Sequence, residues 1–66
     1  MELLVNGDSR TLPAETTLAE LVATLTSHER GLAVAVNGEV VPRADWPATR
    51  LRDGDRVEVL TAAQGG

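Results

Sequence analysis

A chain of 66 residues, of which 42% are hydrophobic and 24% charged, has the composition of one small globular domain with little interior for a deep catalytic pocket. Its formal net charge is −4, and its six basic residues, all arginine, are scattered along the chain, which argues against nucleic acid as a partner. Cysteine and lysine are absent and His28 is the lone histidine, so disulfides, thiolate nucleophiles and lysine Schiff bases are excluded and a metal site is disfavoured.

A β-hairpin is predicted at the start of the chain. Met1–Val5 is rich in strand-forming residues and is followed by Asn6-Gly7, the pair that most favours a type I′ turn because both residues tolerate positive φ. A second strand is expected over about Ser9–Leu12. Met1–Val5 is too short and too uncharged for a signal peptide, and no apolar run approaches the length of a membrane span, so we expect a cytoplasmic protein with no membrane partner.

One helix is predicted after this hairpin. Thr17 and Glu20 have the spacing of a capping box, in which the hydroxyl and the carboxylate bind exposed backbone amides at the helix start. Apolar residues then recur at the helical spacing i, i+3, i+4 and i+7, which predicts a stripe packed on a sheet: Leu18, Leu21, Val22 and Leu25. The helix is expected to end around Glu29, with Gly31 as a left-handed C′ residue.

The second half of the chain predicts another hairpin, a loop and a final strand. The apolar run Leu32–Val36 is followed by a second Asn-Gly pair and then by Glu39–Val41. The stretch from 42 to 52 is predicted to be an irregular loop with one short turn, in which Trp46, the single aromatic residue, covers the edge of the core. The last strand is expected over about Arg56–Thr61.

The order hairpin, helix, hairpin, loop and strand predicts an α+β fold of the β-grasp type, a mixed sheet of about five strands holding one main helix. In this arrangement the first and last strands lie side by side in the middle of the sheet. Alternation along them turns one set of residues toward the helix: Met1, Leu3, Val5, Val57 and Val59. Residues 1–61 are expected to form this domain, and residues 62–66 a flexible C-terminal tail.

The other face of the predicted sheet contains the candidate docking residues. Leu60 and Leu4 point outward by the same alternation, and with the small Ala33 and Ala35 they could form an exposed apolar patch near the tail, which Ala62 would extend. Scattered exposed leucines are also normal on protein surfaces. The sequence leaves these two interpretations about equally favoured.

The terminal Gly65-Gly66 is the strongest candidate for chemistry, since two terminal glycines arise by chance in roughly one chain in two hundred. A C-terminal carboxylate is ionised at neutral pH and must be activated before a nucleophile attacks it. The chain has no phosphate-binding loop, so ATP would be bound by a separate enzyme. Two residues without Cβ atoms, preceded by Gln64, suit threading into a narrow active site, whereas the alternative is a frayed end or a cloning scar.

Several segments of the sequence together form a familiar pattern: Val5-Asn6-Gly7, Thr17-Leu18-Ala19-Glu20-Leu21, 34–43 with Trp46, Leu51, Gly54-Asp55-Arg56-Val57-Glu58 and Gly65-Gly66. Through these segments the sequence closely resembles the ThiS family of ubiquitin-like sulfur carrier proteins over essentially its whole length.

This resemblance implies that the protein is a cosubstrate and not an enzyme, with no bound cofactor of its own. A ThiF-like adenylyltransferase would use ATP and Mg²⁺ to adenylate Gly66, and a sulfur donor enzyme would supply cysteine-derived sulfur to replace AMP. The resulting thiocarboxylate would donate sulfur to a ThiG-like thiazole synthase in thiamine biosynthesis. Gly65 and Gln64 would thread the partners' active sites, and the carrier would be a monomer when free.

Two alternatives remain at this point. One is a carrier that resembles the small subunit of molybdopterin synthase, which shares the fold and the thiocarboxylate chemistry but tends to have a proline pair before its tail. Here Thr61-Ala62-Ala63-Gln64 precedes the glycines. The other is a β-grasp interaction module whose terminus is never modified.

Overall fold

A mixed five-stranded sheet with one α-helix on one face is the architecture of this chain. The computed structural model describes residues 1–26 and 31–61. The strands and the helix follow in the order β1 (Glu2–Val5), β2 (Asp8–Thr11), α1 (Leu18–Leu25), β3 (Leu32–Val36), β4 (Glu39–Val40) and β5 (Arg56–Thr61), with a 3₁₀ helix (Arg43–Ala48) before β5. Among the described residues no helix is long and apolar enough to cross a membrane.

The first and last strands lie together in the middle of the sheet, as predicted. The strand order is β2-β1-β5-β3-β4, with β1 and β5 parallel and every other pairing antiparallel. On one side of β5, Val57 is the partner of Val5, and on the other side β3 follows it from Val36↔Val57 to Leu32↔Thr61. This topology confirms the predicted β-grasp fold.

Both predicted Asn-Gly turns are present and join antiparallel strands. Asn6 and Gly7 have φ values of 50° and 86°, and Asn37 and Gly38 have φ values of 52° and 83°. Positive φ at both central residues is the requirement of a type I′ turn, whose twist matches that of the strands it joins. The two local sequence signals therefore set the register of β1 with β2 and of β3 with β4.

Helix α1 begins where the capping box predicts. The Glu20 amide donates to the Thr17 hydroxyl at 3.2 Å, and the Thr17 amide donates to the Glu20 carboxylate at 2.9 Å. The Thr17 backbone amide and, to a smaller extent, the Thr17 hydroxyl donate hydrogen bonds to the Glu20 carboxylate, and these bonds lower the pKa of Glu20 below its ordinary value. Glu20 thus acts as a capping residue at the start of the helix.

The predicted end of the helix near Glu29 is wrong. The last helical residue is Leu25, and the C-cap Thr26 is in an extended conformation with φ −157° and ψ 150°. Thr24 donates its hydroxyl to the Leu21 carbonyl at 2.7 Å, a back-bond that competes with continued helix, and β-branched residues have a low helix propensity. Gly31 has a positive φ of 71° as expected, but it is not the C′ residue of this helix.

The core lies between the helix and the inner face of the sheet. The predicted inward residues of β1 and β5 are buried or packed against it, and the buried set is Leu3, Val5, Leu18, Leu21, Val22, Val34, Trp46, Leu51 and Val57. Trp46 is only 2% exposed, so it is a full member of the core, and its indole N–H donates to the Val41 carbonyl at 2.9 Å. The segment that holds it is a 3₁₀ helix of 6 residues, longer than the single turn that was predicted.

Candidate functional site

The outer face of the sheet carries an apolar patch that includes three of the residues predicted to form it. We call it the outer patch: Ala33, Ala35, Val40 and Leu60. Leu60 is 58% exposed and Val40 is 70% exposed. Leu60 is the cross-strand partner of Ala33, and Val40 is that of Ala35. Because small side chains on β3 stand between larger ones on β4 and β5, they leave a shallow groove of about 160 Å³.

Leu4 is exposed on the same face but lies outside this groove. It is 43% exposed, and its cross-strand partner on β5 is Arg56 rather than Leu60. Arg56 and Leu60 are four residues apart on one strand, a distance of about 13 Å at 3.3 Å per residue. The single patch expected from the sequence is therefore divided, and Val40 rather than Leu4 lines the groove together with Leu60 and Ala33.

Val40 was missed because its direction depends on the register of the second hairpin. A two-residue Asn37-Gly38 turn makes Val36 the partner of Glu39 and Ala35 the partner of Val40, so Val40 faces the same side as Ala35. The signal was available in the sequence, since turn length determines this register. The prediction counted alternation only along the first and last strands.

Charged side chains border the outer patch on β5. Glu58 is the partner of Ala35 and lines the groove, and Arg56 follows on the same face toward the start of the strand. Both are exposed. An apolar centre with a charged border also occurs in protein-docking surfaces, where charges orient the partner and apolar residues contribute binding energy.

Strand β5, which leads to the tail, is fixed on both sides by the two turn asparagines. The Asn6 side chain donates to the Val59 carbonyl at 3.2 Å and accepts from the Val59 amide at 2.8 Å. Asn37 accepts from the Arg56 amide at 3.0 Å and donates to the Asp55 carboxylate at 3.0 Å. Each side chain therefore binds a different end of β5.

The sequence had indicated these asparagines only as turn formers. Their second role depends on β5 lying between β1 and β3, so that a residue just past the end of either neighbouring strand reaches it. No local pattern contains that information. The predicted strand order, which placed the first and last strands side by side, was the only clue in the sequence that Asn6 lies close to the last strand.

The described residues contain no arrangement typical of a catalytic or metal centre. Within residues 1–26 and 31–61, no group of three or more His, Cys, Asp or Glu side chains could hold a metal ion. The larger of two other grooves, about 480 Å³, lies between the second hairpin and the 3₁₀ helix, and the smaller, about 270 Å³, lies between the end of α1 and the end of β5. In the larger groove the Thr49 hydroxyl donates to the Asp45 backbone carbonyl at 2.7 Å rather than to a carboxylate, so it is not activated as a nucleophile by a neighbouring base.

The predicted tail positions lie outside the described residues: Ala62, Gln64, Gly65 and Gly66. The last described residue is Thr61, which ends β5 and is exposed. Leu60 is its immediate neighbour. The outer patch therefore lies beside the point from which the predicted tail continues.

Comparisons with known proteins agree with this architecture. The model of the ThiS family matches residues 3–66. The sulfur carrier protein ThiS of Escherichia coli is 32% identical over 66 residues, which is 100% of both chains. The crystal structure of the thiamine biosynthesis protein ThiS from Geobacter metallireducens superposes with a TM-score of 0.83 at 36% identity, covering 92% of this chain and 93% of that one.

A longer relative also contains a segment similar to the whole of this chain. A thiazole synthase from Paramagnetospirillum magneticum is 33% identical over 66 residues, which is 100% of this chain but 20% of that protein. This chain thus spans about a fifth of the length of that relative and the full length of the Escherichia coli carrier. Since the family model covers nearly every residue and the sheet, the helix and their order are shared with a solved member, the chain belongs to the ThiS family.

Proposed function

We propose that this sulfur carrier protein holds its sulfur as a thiocarboxylate on Gly66 and donates it to thiazole synthase in thiamine biosynthesis. The observation that carries the proposal is the family match, which runs through Gly65-Gly66 and is accompanied by end-to-end similarity to a sulfur carrier. It also favours thiazole formation over the alternative role in molybdopterin synthesis. In this proposal residues 1–61 are the folded handle and residues 62–66 are the reactive tail of a cytoplasmic protein that is monomeric when free.

Activation of Gly66 is the first proposed step. Its carboxylate attacks the α-phosphorus of ATP, a bond to AMP forms and pyrophosphate leaves, which converts an unreactive anion into an acyl-adenylate with a good leaving group. A ThiF-like adenylyltransferase binds the ATP and the Mg²⁺ that offsets the phosphate charge. Sulfur supplied at the sulfide level by a donor enzyme then attacks the Gly66 carbonyl carbon, the C–S bond forms and AMP leaves. The carrier needs no thiol of its own, and its sequence has none.

The proposed tail is long and narrow enough to enter a partner's active site. Six residues from Thr61 to Gly66 extend at most roughly 20 Å at 3.3 to 3.6 Å each, which is sufficient to enter a recessed active site. Gly65 and Gly66 have no Cβ atoms, so the partner's catalytic groups can approach the backbone closely, and Gln64 is the first larger side chain behind them.

The outer patch is the proposed docking surface for both partner enzymes. Its two largest side chains, Leu60 and Val40, are more than half exposed, and Leu60 is next to the last described residue. Leu4 lies on the same face but outside this surface, and Ala62 would extend the surface along the tail. A thiazole synthase contains a segment similar to this whole chain. Because two domains joined in one chain often act in the same process, this similarity supports thiazole synthase as the sulfur acceptor.

The adenylation step can be tested with purified components. We expect the protein, incubated with a ThiF-like enzyme, ATP and Mg²⁺, to cause stoichiometric pyrophosphate release and to acquire an AMP adduct. A chain lacking Gly66 is the matched control, because it keeps every described residue and loses only the proposed acceptor. An absence of adduct on the full chain, or an adduct of equal yield on the shortened one, would contradict the proposal. The interaction-module alternative predicts the first of these results.

A further inference from the structure

The end of β5 lacks a neighbouring strand on its β1 side. Parallel pairing of β1 with β5 stops at Val5↔Val57, because Asn6 and Gly7 turn the chain toward β2. Along this edge the Leu4 amide donates to the Asp55 carbonyl at 3.0 Å, and the Asn6 amide donates to the Val57 carbonyl at 2.9 Å. Alternate residues of a strand present their backbone groups to the same edge, so the next groups on this edge belong to Val59.

The Asn6 side chain takes the place of the missing strand at Val59. Its amide binds both the N–H and the C=O of Val59, at 2.8 Å and 3.2 Å, as a backbone peptide group of a further β1 residue would. The turn holds Asn6 at a φ of 50°, which fixes its backbone, and its own amide is bound to Val57. Val59 is thereby held between Asn6 on one side and β3 on the other.

We infer that Asn6 is a positioning residue for the tail: its side-chain amide holds β5 in the sheet at Val59 and so helps to fix the position and direction of the strand up to Thr61, where the described chain ends. Without this amide, the backbone groups of Val59 on the β1 side would lose their partner, and β5 would be held less rigidly at this residue although its pairing with β3 continues to Thr61. The inference rests on the proposed function, since it matters only if Gly66 must reach a partner's active site.

The same fold provides an internal control at the other end of the strand. Asn37 is also the first residue of an Asn-Gly turn, has a φ of 52°, donates its backbone amide to the Arg56 carbonyl at 2.7 Å and accepts from the Arg56 amide. Its bonds are close in number and kind to those of Asn6, but they fix the start of β5. Replacing either asparagine by glycine removes the side-chain bonds and keeps a residue suited to positive φ.

The experiment compares N6G and N37G in adenylation by a ThiF-like enzyme, with ATP and the carrier variants as substrates. Both variants are first shown to be folded at the assay temperature by circular dichroism and urea unfolding. We expect N6G to lower kcat about tenfold, because the entropy cost of ordering the backbone of one more residue in each productive complex corresponds to about that change in rate. The KM for the carrier should stay near that of wild type, because the outer patch is intact. N37G should retain the kcat of the wild-type carrier.

Hydrogen exchange provides a second readout that needs no enzyme. In N6G the Val59 amide loses its acceptor and should exchange at least tenfold faster, whereas in N37G the Val59 rate should not change. N6D keeps an acceptor for the Val59 N–H but no donor for its C=O, so its kcat should lie between those of N6G and wild type. If N6G does not fold, N6D and N37G give the same comparison.

Each outcome decides one question. An equal kcat for a folded Asn6 variant and N37G, or an unchanged Val59 exchange rate in N6G, overturns the positioning role while the proposed function stands. If the wild-type chain is not adenylated, the proposed function fails, and the exchange experiment still reports whether Asn6 holds the end of β5. A fall in kcat confined to the Asn6 variants supports the inference.

Discussion

Replacement of Leu60 by serine tests the proposed docking surface most clearly. Burying a whole leucine side chain contributes about 1.5 to 3 kcal/mol, and 58% of Leu60 is still exposed in the isolated domain. If a partner covers this fraction, Leu60 contributes about 0.9 to 1.7 kcal/mol to docking. L60S should therefore weaken binding by roughly 5- to 20-fold. The folded state should be little affected, because Leu60 lies outside the buried core.

The assay is a titration of the carrier against a ThiF-like enzyme by calorimetry, with L4S as the matched control. Leu4 is also an outward leucine and is 43% exposed, but it is the partner of Arg56 and lies away from the outer patch. We expect L4S to change Kd less than threefold. Equal losses in the two variants would show that docking extends over the whole face, and no loss in L60S would refute the outer patch as the docking surface.

Two further predictions concern the stability of the handle. Thr17→Ala removes the N-cap of α1 and should lower the free energy of unfolding by about 1 kcal/mol in urea titrations. Glu20 has a lowered pKa in the folded state, so its stabilising effect is present above its ordinary pKa of 4.5 and is lost as the pH falls through the lower folded value. T17A removes only the hydroxyl's bond to this carboxylate and keeps the bond from the Thr17 amide, so its deficit should shrink slightly on acidification, and a deficit that grows would contradict this. Trp46→Phe leaves the Val41 carbonyl without its indole donor and should cost about 1 to 3 kcal/mol by circular dichroism, whereas a loss below 0.5 kcal/mol would show that the bond is dispensable.

The hairpins and the helix start could be predicted because their signals are local, and the strand order followed from the order of these elements along the chain. Asn6-Gly7 and Asn37-Gly38 have the φ values that such pairs favour, and Thr17 forms the expected capping box. Once those elements were placed, the alternation of side chains along the last strand correctly predicted that Val57 faces the core and Leu60 faces outward. These features require only the chemistry of neighbouring residues.

The features that the sequence did not reveal depend on competition or on distant partners. Helix α1 stops at Leu25, where the Thr24 hydroxyl competes for a backbone carbonyl and Thr26 is extended, although Gly31 as an expected C′ residue had favoured a longer helix. The bonds of Asn6 to Val59 join residues at opposite ends of the chain, and no pattern within one segment encodes them. Val40 joined the outer patch through cross-strand register.

Sulfur on Gly66 is the central claim, and intact-mass spectrometry of the protein after reaction measures it directly. The chain is incubated with a ThiF-like enzyme, ATP, Mg²⁺ and a cysteine-derived sulfur source, and fragmentation then locates any change of mass. We predict a mass increase equal to the replacement of one oxygen by one sulfur, confined to fragments that contain Gly66. An unchanged mass with active partner enzymes, or sulfur located on another residue, would contradict the account.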